Sequence, residues 1–157
     1  MKKLFLVRHA KSDWENPHLK DIERPLNERG YANANSLSYQ RRIKPDLIIS
    51  SPAVRAFTTA LVFARNLNYN ANTIILKQEL YESTVNDYVS VFSEIDNKYD
   101  TVMLFGHNPT ISDLVGQLTQ SSNILMPTCC IAGINFDVKN WKEIKIGNLF
   151  LFDHPKK

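Results

Sequence analysis

The stretch Leu4-Phe5-Leu6-Val7-Arg8-His9 decides how this chain folds. A short unbroken apolar run reads as a strand buried on both faces, as at the centre of a parallel sheet. Arg8 and His9 then emerge at its carboxyl end, the rim where open α/β sheets bind ligands. The arrangement recurs in Val102-Met103-Leu104-Phe105-Gly106, which leads into His107-Asn108-Pro109. A third apolar run, Leu47-Ile48-Ile49, is followed by Ser50-Ser51-Pro52-Ala53-Val54-Arg55. Two arginines and two histidines at strand-to-helix turns are a recipe for holding a dianion, and phosphate is the obvious one.

Working outward from these three runs gives an alternating pattern. Strands are expected at 3–8, 46–50, 74–77 and 101–105, with helices near 27–42, 52–67, 84–95 and 109–119. Asn27 is a candidate N-cap, and Gly30 in the first turn of that helix predicts close backbone packing. Ser51 followed by Pro52, and Asn108 followed by Pro109, each have the form of an N-cap with proline at the first helical position. The chain is expected to close with strands 131–138 and 142–152, joined by a turn at Lys139-Asn140. This pattern predicts a three-layer α/β/α sandwich with a mostly parallel central sheet and an antiparallel edge. Phe150 and Phe152 are expected in the core of the last strand. The segment 9–26 is too long for a plain connector, and long loops at a strand rim shape substrate sites.

Composition narrows the function. With 157 residues, 43% hydrophobic and 22% charged, the chain is expected to be one globular domain, 1–157. No apolar stretch approaches the ~20 residues needed to span a bilayer, and no signal-peptide pattern opens the chain, so a cytoplasmic protein away from the membrane is expected. The net charge of +3 is spread thinly, without the basic stripe and exposed aromatics of a nucleic-acid binder. Cys129 and Cys130 are neighbours, spaced more tightly than a disulfide prefers, and are expected as reduced, buried thiols. Oligomeric state is not legible.

Each cation has an ordinary reading beside the functional one. Arg8 beside a buried strand needs an anion, which an internal carboxylate supplies as well as a phosphate does. Arg55 sits in the first turn of its helix, where the dipole disfavours a cation unless an anion is held there. Singly, His9 and His107 read as core histidines. Together, they sort into roles: a neutral imidazole to attack phosphorus, a protonated one to stabilise the equatorial oxygens, and two guanidinium forks to grip them. Positioning and electrostatics of this kind suffice for phosphoryl transfer without a metal. A metal site built from His9, His107 and Asp113 matches no familiar ligand spacing.

At these residues the chain resembles the histidine phosphatase superfamily, which includes the phosphoglycerate mutases. Arg8-His9-Ala10-Lys11-Ser12 is similar to its Arg-His-Gly motif; Ser51-Pro52-Ala53-Val54-Arg55-Ala56 and Gly106-His107-Asn108 are similar to its second arginine and second histidine. Lys11-Ser12-Asp13-Trp14 and Asp21-Ile22-Glu23-Arg24-Pro25-Leu26-Asn27-Glu28-Arg29-Gly30 resemble the short SixA-like phosphohistidine phosphatase branch. The resemblance implies a phosphoglycerate mutase-like fold and His9 as the phosphate-accepting nucleophile. It places Arg8, Arg55 and His107 around the phosphate, with Ser12 and Asn108 as further substrate contacts, and requires no cofactor or metal. It also implies a phosphate-bearing substrate, a histidine-phosphorylated signalling protein being the partner that fits an open pocket. The mutase branch carries a glutamate as general acid; here Glu82 is the candidate and Glu79 the alternative. A small-molecule phosphomonoesterase or mutase and a non-catalytic phosphate-binding module are the competing readings. Retention of both histidines speaks against the last.

Overall fold

A computed structural model describes residues 1–156. Its elements run β1 (Lys2–Arg8), α1 (Glu28–Tyr39), β2 (Leu47–Ser50), α2 (Val54–Asn66), β3 (Ile75–Leu76), α3 (Val85–Ser93), β4 (Thr101–Gly106), α4 (Thr110–Thr119), β5 (Ile131–Phe136) and β6 (Asn148–Asp153). Six strands form one sheet in the order β3-β2-β4-β1-β5-β6. β3, β2, β4 and β1 pair in parallel, while β5 runs antiparallel to both β1 and β6. This is the α/β architecture with a mostly parallel sheet that the strand pattern predicts.

The central strands read as unbroken apolar runs because both sheet faces are covered. One face packs Leu4, Leu6, Val102 and Leu104 with residues of α3 and α4 such as Phe92, Ile111 and Leu114. The other packs Phe5, Val7, Met103 and Phe105 with Ala34 and Leu37 of α1 and Phe63 of α2. Helical spacing supplies the matching stripes: Ile111, Leu114, Val115 and Leu118 are the buried apolar positions of α4. No helix among the described residues is long and apolar enough to cross a membrane.

Asn27 caps α1 as expected, its side chain accepting from the Gly30 N–H at 2.8 Å. Other details differ. The helix after β2 begins at Val54 with Ala53 at the cap position and no side-chain cap, so Ser51 is not an N-cap. Pro109, not Asn108, occupies the cap position of α4. The closing pair is no tight hairpin either. Trp141–Glu143 form a 3-10 turn with Trp141 buried, and β6 starts only at Asn148. The alternation of Ile144 and Ile146 with lysines mimics a strand, but the indole N–H of Trp141 donates to the Tyr99 carbonyl at 2.7 Å and pins the chain as a turn. Phe150 and Phe152 are 42% and 39% exposed, because β6 is an edge strand of the sheet.

Candidate active site

β1 and β4 lie side by side with Arg8 level with Gly106, so His9 and His107 leave adjacent strands at the same rim. The His9 backbone is held from two sides: its N–H donates to the Gly106 carbonyl (3.1 Å) and its carbonyl accepts from the Cys129 N–H (2.9 Å). The two imidazoles face each other with centroids 5.2 Å apart at 54°. Residues nearly a hundred positions apart thus meet at one rim of the sheet.

His9 Nδ1 lies 2.7 Å from the carbonyl oxygen of Ala10. A carbonyl only accepts, so Nδ1 carries the hydrogen and Nε2 of the neutral ring carries a lone pair. Burial pushes the His9 pKa down to about 3; the charges of His107, Arg55 and Arg8 push the same way, against the Ala10 carbonyl. His107 is pushed down to about 4, first by burial and then by Arg55. Its backbone N–H donates to the Tyr88 hydroxyl (3.1 Å), which itself donates to the Leu80 carbonyl (3.0 Å). Gly106 makes room for that phenol, since a Cβ there would overlap the Tyr88 hydroxyl.

Arg55 is buried in the first turn of α2. Its Nη1 donates to the Asp21 carbonyl (2.7 Å) and its Nη2 to the Asp21 carboxylate (3.0 Å). Arg8 donates through Nη1 to the Met126 carbonyl (2.9 Å). The Nε atoms of both arginines and Nδ1 of His107 are buried without a partner. Two arginine nitrogens and one nitrogen of the imidazole pair are thus left without a protein partner, and with two guanidinium groups close by the surroundings favour an anion.

Asp21 is a residue the sequence reading passes over, although it opens the run quoted for the resemblance. Its carboxylate also accepts from the Tyr81 hydroxyl (2.7 Å) and from Arg24 Nε (3.1 Å). Those bonds, Tyr81 first, hold its pKa down to about 2 against a partial burial penalty. It stays ionised and is no proton donor at neutral pH. Tyr81 in turn sets its ring edge-on to His107, centroids 5.6 Å apart. The signal available was chemical: two buried arginines in one pocket demand an internal counter-charge.

The other candidates fall into place unevenly. The Ser12 hydroxyl accepts from Arg24 Nη1 at 2.6 Å, which ties it to the loop after β1. Arg24 also stacks on exposed Trp14, its guanidinium 3.5 Å from the ring centre. Both ends of the Asn108 amide are engaged, with the Met126 carbonyl (2.9 Å) and the Ser112 hydroxyl (2.5 Å). Glu82 is exposed and lines a cleft of about 370 Å³ with Asp21, Arg55, Tyr81, His107 and Thr110. Glu79, also exposed, is not part of that lining. No group of three or more His, Cys, Asp or Glu side chains gathers to hold a metal ion among the described residues.

The histidine shifts have a consequence for stability. Both folded values lie below the ~6.5 of an unfolded histidine. Above that pH neither state binds a proton at these rings; below it the unfolded chain binds more, so stability falls with acidification. Urea unfolding between pH 6 and 4.5 should show a slope approaching about 2.7 kcal/mol per pH unit, two protons' worth. His107→Asn, which cannot titrate, should halve the contribution of the pair. A slope that His107→Asn leaves unchanged would show that these rings are not the groups responsible.

The chain is similar to several known proteins. The family model described as "Histidine phosphatase superfamily (branch 1)" matches residues 4–112. An uncharacterized chloroplastic protein of Arabidopsis thaliana is 28% identical over 158 residues, covering 90% of this chain and 70% of that one. A Hydrogenobacter thermophilus protein named "Putative phosphoserine phosphatase 2" is 31% identical over 110 residues, covering 68% of this chain and 49% of that one. Among solved structures, the "putative phosphohistidine phosphatase SixA" of Agrobacterium tumefaciens superposes with a TM-score of 0.83 at 28% identity, over 99% of each chain. The matched family model takes in all of β1 through β4 except the first two residues, along with the turns that carry Arg8, His9, Arg55 and His107, and the chain belongs to the histidine phosphatase superfamily.

Proposed function

We propose that this protein hydrolyses phosphohistidine carried by another protein, through a phosphohistidine intermediate on His9 and without a metal. The observation that carries the reading is the bond from His9 Nδ1–H to the Ala10 carbonyl. It leaves Nε2 free to attack phosphorus, with Arg8, Arg55 and His107 around the phosphoryl oxygens. As the Nε2–P bond forms, the P–N bond of the substrate breaks and its electron pair returns to the departing imidazole. A substrate ring protonated on its second nitrogen leaves as neutral imidazole, so the protein need supply no acid. The intermediate keeps its hydrogen on Nδ1. When water attacks phosphorus, His9 likewise departs as neutral imidazole, and the water's proton leaves with phosphate or solvent. Both halves therefore use the same kind of leaving group.

An alkoxide leaving group would need a proton. Asp21, the carboxylate bonded to Arg55, is held ionised, which leaves exposed Glu82 as the one other carboxylate in the cleft. The superposition on the Agrobacterium tumefaciens protein, itself described as a "putative phosphohistidine phosphatase", supports the same substrate class. The second reading, a small-molecule phosphomonoesterase with Glu82 as acid, is favoured by the place of Glu82 in that lining.

A panel of phosphohistidine peptide, aryl phosphate and phosphoglycerate, run with chelator present, separates the two. The P–N substrate should turn over fastest, and Glu82→Gln should change that rate by less than about 2-fold, since no acid is required. Faster cleavage of phosphoglycerate, lost in Glu82→Gln, would hand the site to the second reading.

A further inference from the structure

Ser51 has a second task that its place beside proline conceals. It is fully buried, and its hydroxyl oxygen meets two groups: it accepts from the Ala53 N–H at 3.2 Å and lies 2.7 Å from Nε2 of His107. A hydroxyl has one proton and two lone pairs. The Ala53 N–H fills one lone pair and offers nothing to the proton. Nε2 of a neutral His107 is the acceptor in reach, so the proton of Ser51 goes there. The hydrogen of the ring then sits on Nδ1, the nitrogen that is buried without a protein partner.

We infer that Ser51 is a positioning residue that fixes His107 as its Nδ1–H tautomer and then follows it through a change of charge. The second half rests on the proposed function, because it needs a phosphoryl dianion in the pocket. When that dianion draws a proton onto Nε2, the N–H must find an acceptor. Rotation of the Ser51 hydroxyl by one torsion turns its remaining lone pair to the ring, and its proton goes to the acceptor that the bound dianion brings into the pocket. His107 thus gains its charge without moving, and the same oxygen serves as donor before and acceptor after.

No other group does this. The charges bearing on His107 are those of Arg55, Asp21, Arg8 and Arg24. His9 and Tyr81 present ring faces and edges, and Tyr88 bonds only the backbone N–H. Among the described residues, Ser51 is the one hydrogen-bond partner of the imidazole itself.

The ring nitrogens of His107 are distinguishable by 15N NMR, and tungstate serves as the phosphoryl mimic. In the wild-type protein at neutral pH the ring should be the pure Nδ1–H tautomer, becoming doubly protonated when tungstate saturates the site. Ser51→Ala should give a mixture of tautomers and bind tungstate about 10- to 100-fold more weakly, the range expected for a lost bond to a charged group. Ser51→Thr, which keeps a hydroxyl, should restore the single tautomer and most of the affinity. An Nε2–H ring in the wild type overturns the inference with no variant required. So does Ser51→Ala with unaltered nitrogen signals and affinity. Failure to cleave any phosphate would sink the proposed function yet leave the tautomer assignment standing.

Discussion

His9→Ala should abolish turnover, by about 10⁴-fold or more, because on the proposed mechanism it removes the attacking atom and not merely a contact. The fold should survive. The neighbours of His9 grip its backbone through the Gly106 carbonyl and the Cys129 N–H, and alanine keeps both bonds. The wild-type protein quenched in mid-reaction with labelled substrate should carry acid-labile phosphate, and the variant none. A variant that still took up label would place the nucleophile elsewhere; His107 would be the first residue to suspect, since its ring lies 5.2 Å away. Removing the ring also relieves part of the burial penalty that holds its pKa near 3, so the variant is expected to lose less stability in acid than the parent.

Gly30→Ala should cost stability on a scale unusual for adding one methyl, about 3 kcal/mol or more. A Cβ at this position would overlap the carbonyl oxygen of Lys11 and lie 3.1 Å from the carbon and nitrogen of the same residue. A flexible side chain could swing away; a peptide unit cannot. That carbonyl also accepts from the Asn27 N–H at 3.0 Å, so the loop after β1 and the start of α1 are locked at one point. Lys11 stands two residues beyond His9, and pushing it aside should disturb the Ala10 carbonyl that sets the tautomer of His9. Denaturant midpoints would register the first effect, and kcat/KM the second. A variant as stable as its parent would mean that helix and loop can part without cost.

What was legible in the residues was whatever depends on neighbours in the chain. Buried runs such as Leu4–Val7 announce strands, Asn27 announces a cap, and a cation after a buried strand announces a rim site. Gly30 could be read because a glycine at the start of a helix is costly without a packing reason. The network of Asp21 was not legible, since it joins Arg55, Tyr81 and Arg24 across 34, 60 and 3 positions. Ser51 was misread for a related reason. Its local context, serine before proline, is that of a cap, while its deciding partner lies 56 residues away. The late strand was overextended because alternation of apolar and polar residues cannot tell a strand from a turn that buries one tryptophan.

Cys129 and Cys130 sit wholly out of solvent against β1, the Cys130 carbonyl accepting from the Arg8 N–H and the Cys129 N–H donating to the His9 carbonyl. Burial pushes both thiols up to about 12. Neither thiolate nor access exists while the fold is closed, so alkylating reagents must wait for the middle of the molecule to come apart. The protein therefore carries a chemical clock behind His9, ticking only when the backbone pairing of this segment with β1 breathes.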